Sequence, residues 1–413
     1  MPRQAGKHAL IFIFFTVLID TIGFGVVLPV LPKLLMTMTG QTAAQVTLTA
    51  GFLLSTYAGL QFVCGPVMGN LGDRFGRRPV LLGSLAAFSL DYLLMGFAPT
   101  VAWLFLGRAI AGIAGAVYSP AMAYVADVSP PEKRAQSFGL VGAAFGLGFI
   151  LGPALGGLIG ELGPRAPFFL AAGLALLNFA YGLFVLPESL PAERRRRFEW
   201  KRANPFGTLM ALRRYPAVVS IAGAVFLWQL GHQVYPSTWS FFAKIRFNWS
   251  EAEIGASLAF VGVLMAFTQG FLTGKIVKRV GEYRAVMLGV GSGVVSMLLL
   301  AFATQTWFAY VAMGSGILQG LAYPSMNAIM SKRVPANEQG ELSGGVASMM
   351  SLTTILGPLL MTQTLGRFSG AGAPVYFPGA AFLLASTLAT LALLIVLRAA
   401  SPASALPGAE HAG

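Results

Sequence analysis

Charge and cysteine are what this 413-residue chain has least of. Cys64 is its only cysteine, which excludes an intrachain disulfide and a cysteine-rich metal cluster. Charged residues make up 10% of the chain and hydrophobic ones 56%, where soluble domains carry about 25% charged residues. A folded soluble domain cannot hide that much apolar surface, so lipid must cover most of the perimeter. No set of residues has metal-ligand spacing or a nucleophile–base arrangement, so neither a metal centre nor an enzyme is expected. Gly146-x-Gly148 has no strand before it, and Gly270 to Ile276 lacks a Ser or Thr after Lys275. A nucleotide-driven motor is therefore not expected, and no cofactor is.

The net charge of +13 suggests nucleic acid until the positions are read. The basic residues sit in short loops between apolar runs. Of 28 Lys and Arg, 22 fall on one side of a membrane, 5 on the other, and Arg108 lies within it. That asymmetry places both termini in the cytoplasm, with anionic lipid headgroups as partners and no role for nucleic acid. Arg3 and Lys7 precede an apolar run that is too long for a signal peptide and that holds Asp20, so it reads as a retained first span.

A helix needs about 20 residues to cross the hydrocarbon. Twelve such runs are present: 9–32, 47–69, 79–98, 101–126, 137–160, 166–186, 217–241, 253–274, 284–303, 306–330, 340–363 and 376–398. The long connection 187–216 carries Pro187, Pro191, Pro205 and the run Arg194 to Arg197, with a surface helix expected near Phe206 to Leu212. The predicted organisation is a six-helix bundle over 1–186, a cytoplasmic linker over 187–216, a second six-helix bundle over 217–398, and a disordered tail over 399–413. A monomer suffices for such a plan.

The two bundles are copies. A shift of 205 residues carries Gly69, Arg74 and Gly76 to Gly274, Arg279 and Gly281, Tyr118 to Tyr323, and Gly152-Pro153 to Gly357-Pro358. Paired hydrophobic halves are a frequent plan of secondary transporters, with the substrate between them. Gly148, Gly152, Gly156 and Gly160 repeat every four residues around Pro153, a face for close backbone contact.

The loop Gly69 to Pro79, GNLGDRFGRRP, resembles the loop 2–3 signature of the major facilitator superfamily. Arg108 with Gly112 and Gly115, and Gly148-x3-Gly152-Pro153-x2-Gly156-Gly157, resemble the span 4 and span 5 motifs of its twelve-span drug–proton antiporters. Asp20-x2-Gly23-x-Gly25, Pro29-Val30-Leu31-Pro32, Asp91-Tyr92, Gln229 and Gln233 are similar to the tetracycline-exporter branch. The resemblance implies an all-α protein of twelve spans in two pseudo-symmetric bundles. It also implies antiport, and a multi-pass location in a bacterial inner membrane. The branch carries a His in span 8 and an acid in span 9; Met265 and Gly293 stand there instead. The resemblance thus supports antiport better than it supports tetracycline as substrate.

Asp20 sits near mid-membrane, where an ionised carboxylate costs about 3 kcal/mol. It must be paired, hydrated or protonated, and the last suits a proton carrier. Asp91 lies similarly deep in span 3 and is read as a second proton-coupling carboxylate facing the same cavity, with a structural bond across a helix interface, aided by Tyr92, as the alternative. Arg108 lies roughly 10 Å below the outer end of span 4, either snorkelling outward or standing as a fixed positive charge near Asp20. Asp73, Arg74, Arg77 and Arg78 suit a clamp on a neighbouring helix end, with Asp73 toward a helix N-terminus and the arginines toward Asp127 or Glu132. The resemblance implies that this loop, with Gly69, Gly76, Gly152 and Pro153, works as an inner gate. No acid lies inside spans 7 to 12. A cavity of amides and aromatics is expected instead from Tyr57, Gln61, Tyr118, Trp228, Gln229, His232, Gln233, Met265, Gln269, Gln319 and Asn327, suited to bulky amphipathic molecules. Each of these alone is an ordinary packing residue. The function expected is proton-coupled efflux of small amphipathic drugs, with the proton gradient as energy source. Import or facilitated passage of a metabolite is the alternative, and a scaffold acting through Arg194 to Arg197 the remote one.

Overall fold

The computed structural model describes residues 3–115, 118–199, 215–335 and 338–400. Among them there is no strand. The described residues form sixteen α-helices: α1 Arg3–Thr39, α2 Ala43–Phe75, α3 Arg77–Phe97, α4 Val101–Gly115, α5 Tyr118–Val128, α6 Arg134–Gly160, α7 Ala166–Val185, α8 Pro216–His232, α9 Val234–Phe247, α10 Glu251–Phe267, α11 Thr273–Val280, α12 Glu282–Phe302, α13 Thr306–Ser315, α14 Ala322–Ser331, α15 Gln339–Ser369 and α16 Ala380–Ala400. Phe97, Phe184, Phe271 and Trp307 are each at least 63% exposed, as side chains bathed in acyl chains are.

Ten helical stretches of the described residues are long and apolar enough to cross a membrane. The other two predicted spans, 217–241 and 306–330, are interrupted, and proline is the physical reason. Pro236 cannot donate to the carbonyl of His232, and α8 ends at His232. Pro324 likewise leaves Gly320 without its helical partner, and Ile317–Leu321 tightens into a 3₁₀ turn between α13 and α14. The predicted span 253–274 is continuous but runs through a π turn over Thr268–Leu272.

The internal repeat survives in the backbone. Gly76 and Gly281, 205 residues apart, both take positive φ, +104° and +79°. Each ends one helix and opens the next, and each donates its N–H to the carbonyl four residues back, Gly72 and Val277 respectively. Only glycine accepts that conformation without strain.

The chain divides into two compact units. The first gathers the described residues of Met1–Phe206 with Tyr235–Val263 and Thr354–Pro378; the second gathers those of Gly207–Val234, Leu264–Thr353 and Gly379–Gly413. In the first unit α1 lies along α6, α3 along α7, and α2 along α4. The glycine face of α6 sets the first of these contacts. A Cβ on Gly152 would stand 2.8 Å from the Cα of Gly25, and one on Gly156 2.5 Å from the carbonyl oxygen of Val26. Pro153 meets Gly25 in the same seam. α15 approaches α2 in a similar way: Ser55 donates to the Ile355 carbonyl at 2.7 Å, and Gly51 leaves room for Pro358 and Thr362. In the second unit α16 packs on α12 and on α8.

Candidate functional site

α1, α3 and α4 bring the three membrane-embedded charges of the first unit into one neighbourhood. Arg108, on α4, donates to Asp91, on α3, at 2.5 Å, and neither side chain is more than 6% exposed. Gly107 makes that approach feasible, since a Cβ there would sit 2.6 Å from Oδ1 of Asp91. The guanidinium of Arg108 also lies 5.7 Å from the ring centre of Tyr57. Arg108 therefore neutralises Asp91 and neither snorkels outward nor bonds Asp20. Asp20 is half-buried on α1 and forms no hydrogen bond or ion pair with any described residue. Three residues on, Gly23 lets the hydroxyl of Tyr92 come against the α1 backbone, 2.0 Å from where a Cβ would stand. Tyr57 and Gln61 are tied to α4, with the Gln61 amide donating to the Gly115 carbonyl at 3.0 Å and to the Tyr57 hydroxyl at 3.3 Å. Tyr118 opens α5, and its side chain lies outside the described residues.

At the other end of the bundle, the Gly69–Pro79 loop is a lattice of charges. Arg77 pairs with Asp73 at 2.5 Å and with Asp127 at 3.7 Å. Arg78 donates to the Leu183 carbonyl at 2.8 Å, and Arg74 lies over the ring of Phe75. Glu132 is exposed and pairs with none of these arginines. The carboxylate at the N-terminus of α3 is not Asp73 but Glu188, which accepts from the amides of Arg77 at 2.8 Å and Arg78 at 3.2 Å. Sequence reasoning missed Glu188, 111 residues from its partner Arg77. The signal available was an N-terminus opening on two arginines without a capping side chain. The linker follows the same surface: Tyr124 donates to the Pro187 carbonyl, Ser189 to Asp127, and Asn70 to the Glu199 carbonyl. Arg194 to Arg197 are exposed, and the expected helix near Phe206 to Leu212 lies outside the described residues.

In the second unit Trp228 is 2% exposed and stacks on His232, with ring centres 5.6 Å apart. Its six-membered ring occupies the space beside Gly293, 2.4 Å from a Cβ placed there. Gln319 lies 3.7 Å from the same point. Gln233 is the turn residue between α8 and α9, and its N–H is held by the Gln229 carbonyl. Thr268, in the π turn, donates to the Ile317 carbonyl of the 3₁₀ turn at 2.5 Å, so the irregular stretches of spans 8 and 10 are joined. Met265 is half-buried, while Gln269, next to Thr268, and Asn327 are exposed. Among the described residues no group of His, Cys, Asp and Glu is arranged to hold a metal ion.

Two homologous halves of membrane-spanning helices, broken spans, and a lone carboxylate inside the first half together define a secondary active transporter. The chain belongs to the Major Facilitator Superfamily, which it matches over residues 13–358 and 246–412. It is 42% identical over 356 residues to the class C tetracycline resistance protein of Escherichia coli, covering 86% of this chain and 89% of that one. It is 35% identical to the class B protein of the same organism, with 83% and 85% covered. Multidrug resistance protein 2 of Bacillus subtilis is 30% identical, with 87% and 90% covered. Among solved structures, the human organic anion transporter MFSD10 superposes with a TM-score of 0.68 at 24% identity, covering 95% of this chain and 99% of that one. The nucleoside transporter NupG gives 0.73 at 12%, covering 95% and 98%. These two show the fold alone. The chain is thus a multi-pass membrane transporter and not an enzyme. Nothing among the relatives favours the import alternative.

Proposed function

We propose that this protein exports tetracycline-like amphipathic drugs across the bacterial inner membrane, taking up one or more protons in exchange, with Asp20 as the group that carries them. One observation carries the reading. Of the two deep carboxylates in the first unit, Asp91 is occupied by Arg108, and Asp20 has no partner among the described residues. A partnerless carboxylate at that depth alternates between a protonated form and one neutralised by a bound cation or water. Drug and proton competing for it supply the differential affinity that any ligand needs to shift an access equilibrium. Asp91 and Arg108 hold the walls of that site at no net charge. The Asp73–Arg77–Asp127 lattice with Glu188 serves as the gate at the cytoplasmic end. Gln319 and Met265, backed by the buried ring of Trp228, give the second unit a neutral and soft surface. Such a surface suits the flat rings of a tetracycline more than a metal-chelating set would. The exposed arginines of the linker rest on anionic headgroups, both termini are cytoplasmic, and the monomer is the working unit.

Purified protein in liposomes tests this. An imposed pH gradient is expected to drive tetracycline accumulation, and Asp20→Asn to abolish it while substrate exchange without a gradient persists. Gradient-driven accumulation that survives Asp20→Asn unchanged overturns the assignment.

A further inference from the structure

A second cluster of charges lies at the end of the first unit opposite the Gly69–Pro79 loop, and nothing in the proton-coupling or gating reading uses it. Glu251, the first residue of α10, is 3% exposed. One carboxylate oxygen accepts from Lys33 of α1 at 3.0 Å, and the other lies 3.6 Å from Lys244 of α9. Glu161, just past α6, accepts the Ala252 amide at 3.0 Å. Glu253 is engaged separately, capping α10 through Ser250. The charges that meet are therefore Lys33, Lys244, Glu161 and Glu251, two of each sign. Beneath them α6 and α10 touch through glycine. A Cβ on Gly157 would stand 2.5 Å from the Glu251 carbonyl oxygen and 3.0 Å from the Gly255 Cα, and one on Gly160 3.3 Å from the Glu251 Cβ.

We infer that Glu251 is a positioning residue of the transport cycle, a latch that holds this end of the bundle shut through Lys33 and Lys244. The inference rests on the exporter reading, because an exporter must open this end to release its cargo. Glu251 is buried while Lys33 is partly exposed, so the pair adds little net stability while both partners are present, yet removing the lysine leaves a buried charge uncompensated. Such a pair discriminates between arrangements rather than strengthening one. With α6 and α10 in backbone contact, Glu251 is shielded and needs both lysines. When the helices part, water replaces Lys33 and the bond has no further role. The latch is all-or-none because the glycine seam has no room for an intermediate spacing.

Pulsed electron–electron spin resonance on the full chain tests this without any transported substrate. Cys64→Ser removes the native thiol, and spin labels go at Leu162→Cys and Ala256→Cys, both exposed positions. In lipid nanodiscs the unaltered latch is expected to give mainly the short distance. Glu251→Gln and Lys33→Met are each expected to raise the ratio of long to short distances by roughly tenfold, and Lys33→Arg, which keeps the charge, to retain the short one. A distribution that does not change in Lys33→Met and Glu251→Gln overturns the latch, whether or not thermal stability falls. A folded Lys33→Arg protein that gives the long distance does so too. Loss of tetracycline transport with an intact distance response would instead count against the exporter reading alone.

Discussion

Arg108 reaches across from α4 to Asp91 on α3 and closes a 2.5 Å ion pair from which solvent is excluded. The pair fixes which of the two membrane-embedded carboxylates of the first unit is free, because it leaves Asp20 without a bonded partner among the described residues.

Breaking it from one side has a definite consequence. Arg108→Gln strands a buried carboxylate and Asp91→Asn strands a buried guanidinium, and either is expected to cost about 3–5 kcal/mol. The double change leaves two neutral groups able to share a hydrogen bond and is expected to recover much of that loss. Thermal unfolding of the four proteins in one detergent gives the double-mutant cycle. Additive losses would show that the two side chains are stabilised independently.

Glu188 provides a second case, at a helix end. Its carboxylate accepts from the first two amides of α3 and lies so near Gly76 that a Cβ there would be 2.2 Å from Oε2. Glu188→Gln is expected to cost about 1 kcal/mol through the lost charge at a positive N-terminus. Gly76→Ala is expected to cost more, since it adds strain at a φ of +104° to the collision. Denaturation midpoints order the two; a Gly76→Ala protein as stable as its parent would refute both the strain and the collision.

Local and distant contacts differ in how far the sequence discloses them. Spans, copies and the crowded glycine face of α6 were all legible, because hydropathy and spacing are local properties. The breaks in spans 217–241 and 306–330 were legible in principle from Pro236 and Pro324, but hydropathy averages over them. Partner choice was not legible. The sequence offers Arg108 two carboxylates, Asp20 and Asp91, and only the helix rotation that points Gly107 at Asp91 decides between them. Glu188 is 111 residues of chain away from Arg77. Glu251 was hidden by its neighbour: Ser250 and Glu253 form an ordinary capping box, which makes the start of α10 look like any solvated helix end.

Glu161 gives the pH dependence. The Ala252 amide donates to its carboxylate and Lys33 and Lys244 attract it, so the carboxyl is held below its ordinary 4.5 in the folded protein. A group with a depressed folded value contributes stability above its unfolded value and loses it as pH falls through the folded one. The contribution is therefore complete at neutral pH and fades below pH 4.5. Being largely exposed, the group makes a small, screened contribution. Glu161→Gln is expected to lower the unfolding midpoint slightly at neutral pH, and the gap to its parent is expected to close in acid. Unfolding midpoints of both proteins measured from neutral pH downward decide it; a parallel loss at every pH would mean that Glu161 acts through shape alone.

The indole of Trp228 and the missing side chain of Gly293 are two halves of one fit. The ring is 2% exposed and fills the space that a side chain on α12 would occupy. Gly293→Asp must push the ring aside or bury a charge against it, and overpacking of that kind costs about 1–3 kcal/mol before the charge is counted. Trp228→Ala alone leaves a cavity worth about 3–5 kcal/mol. In the double variant the introduced carboxylate would enter the cavity left by the indole. Gly293→Asp is therefore expected to be less damaging in the Trp228→Ala background than in the parent. Transport selectivity is expected to follow, because an acid in place of an aromatic wall favours cationic or metal-chelated drugs over neutral amphipathic ones. Stability and drug-competition profiles of the single and double variants check both expectations. Equal penalties for Gly293→Asp in the two backgrounds would mean that the indole and the glycine do not share the space.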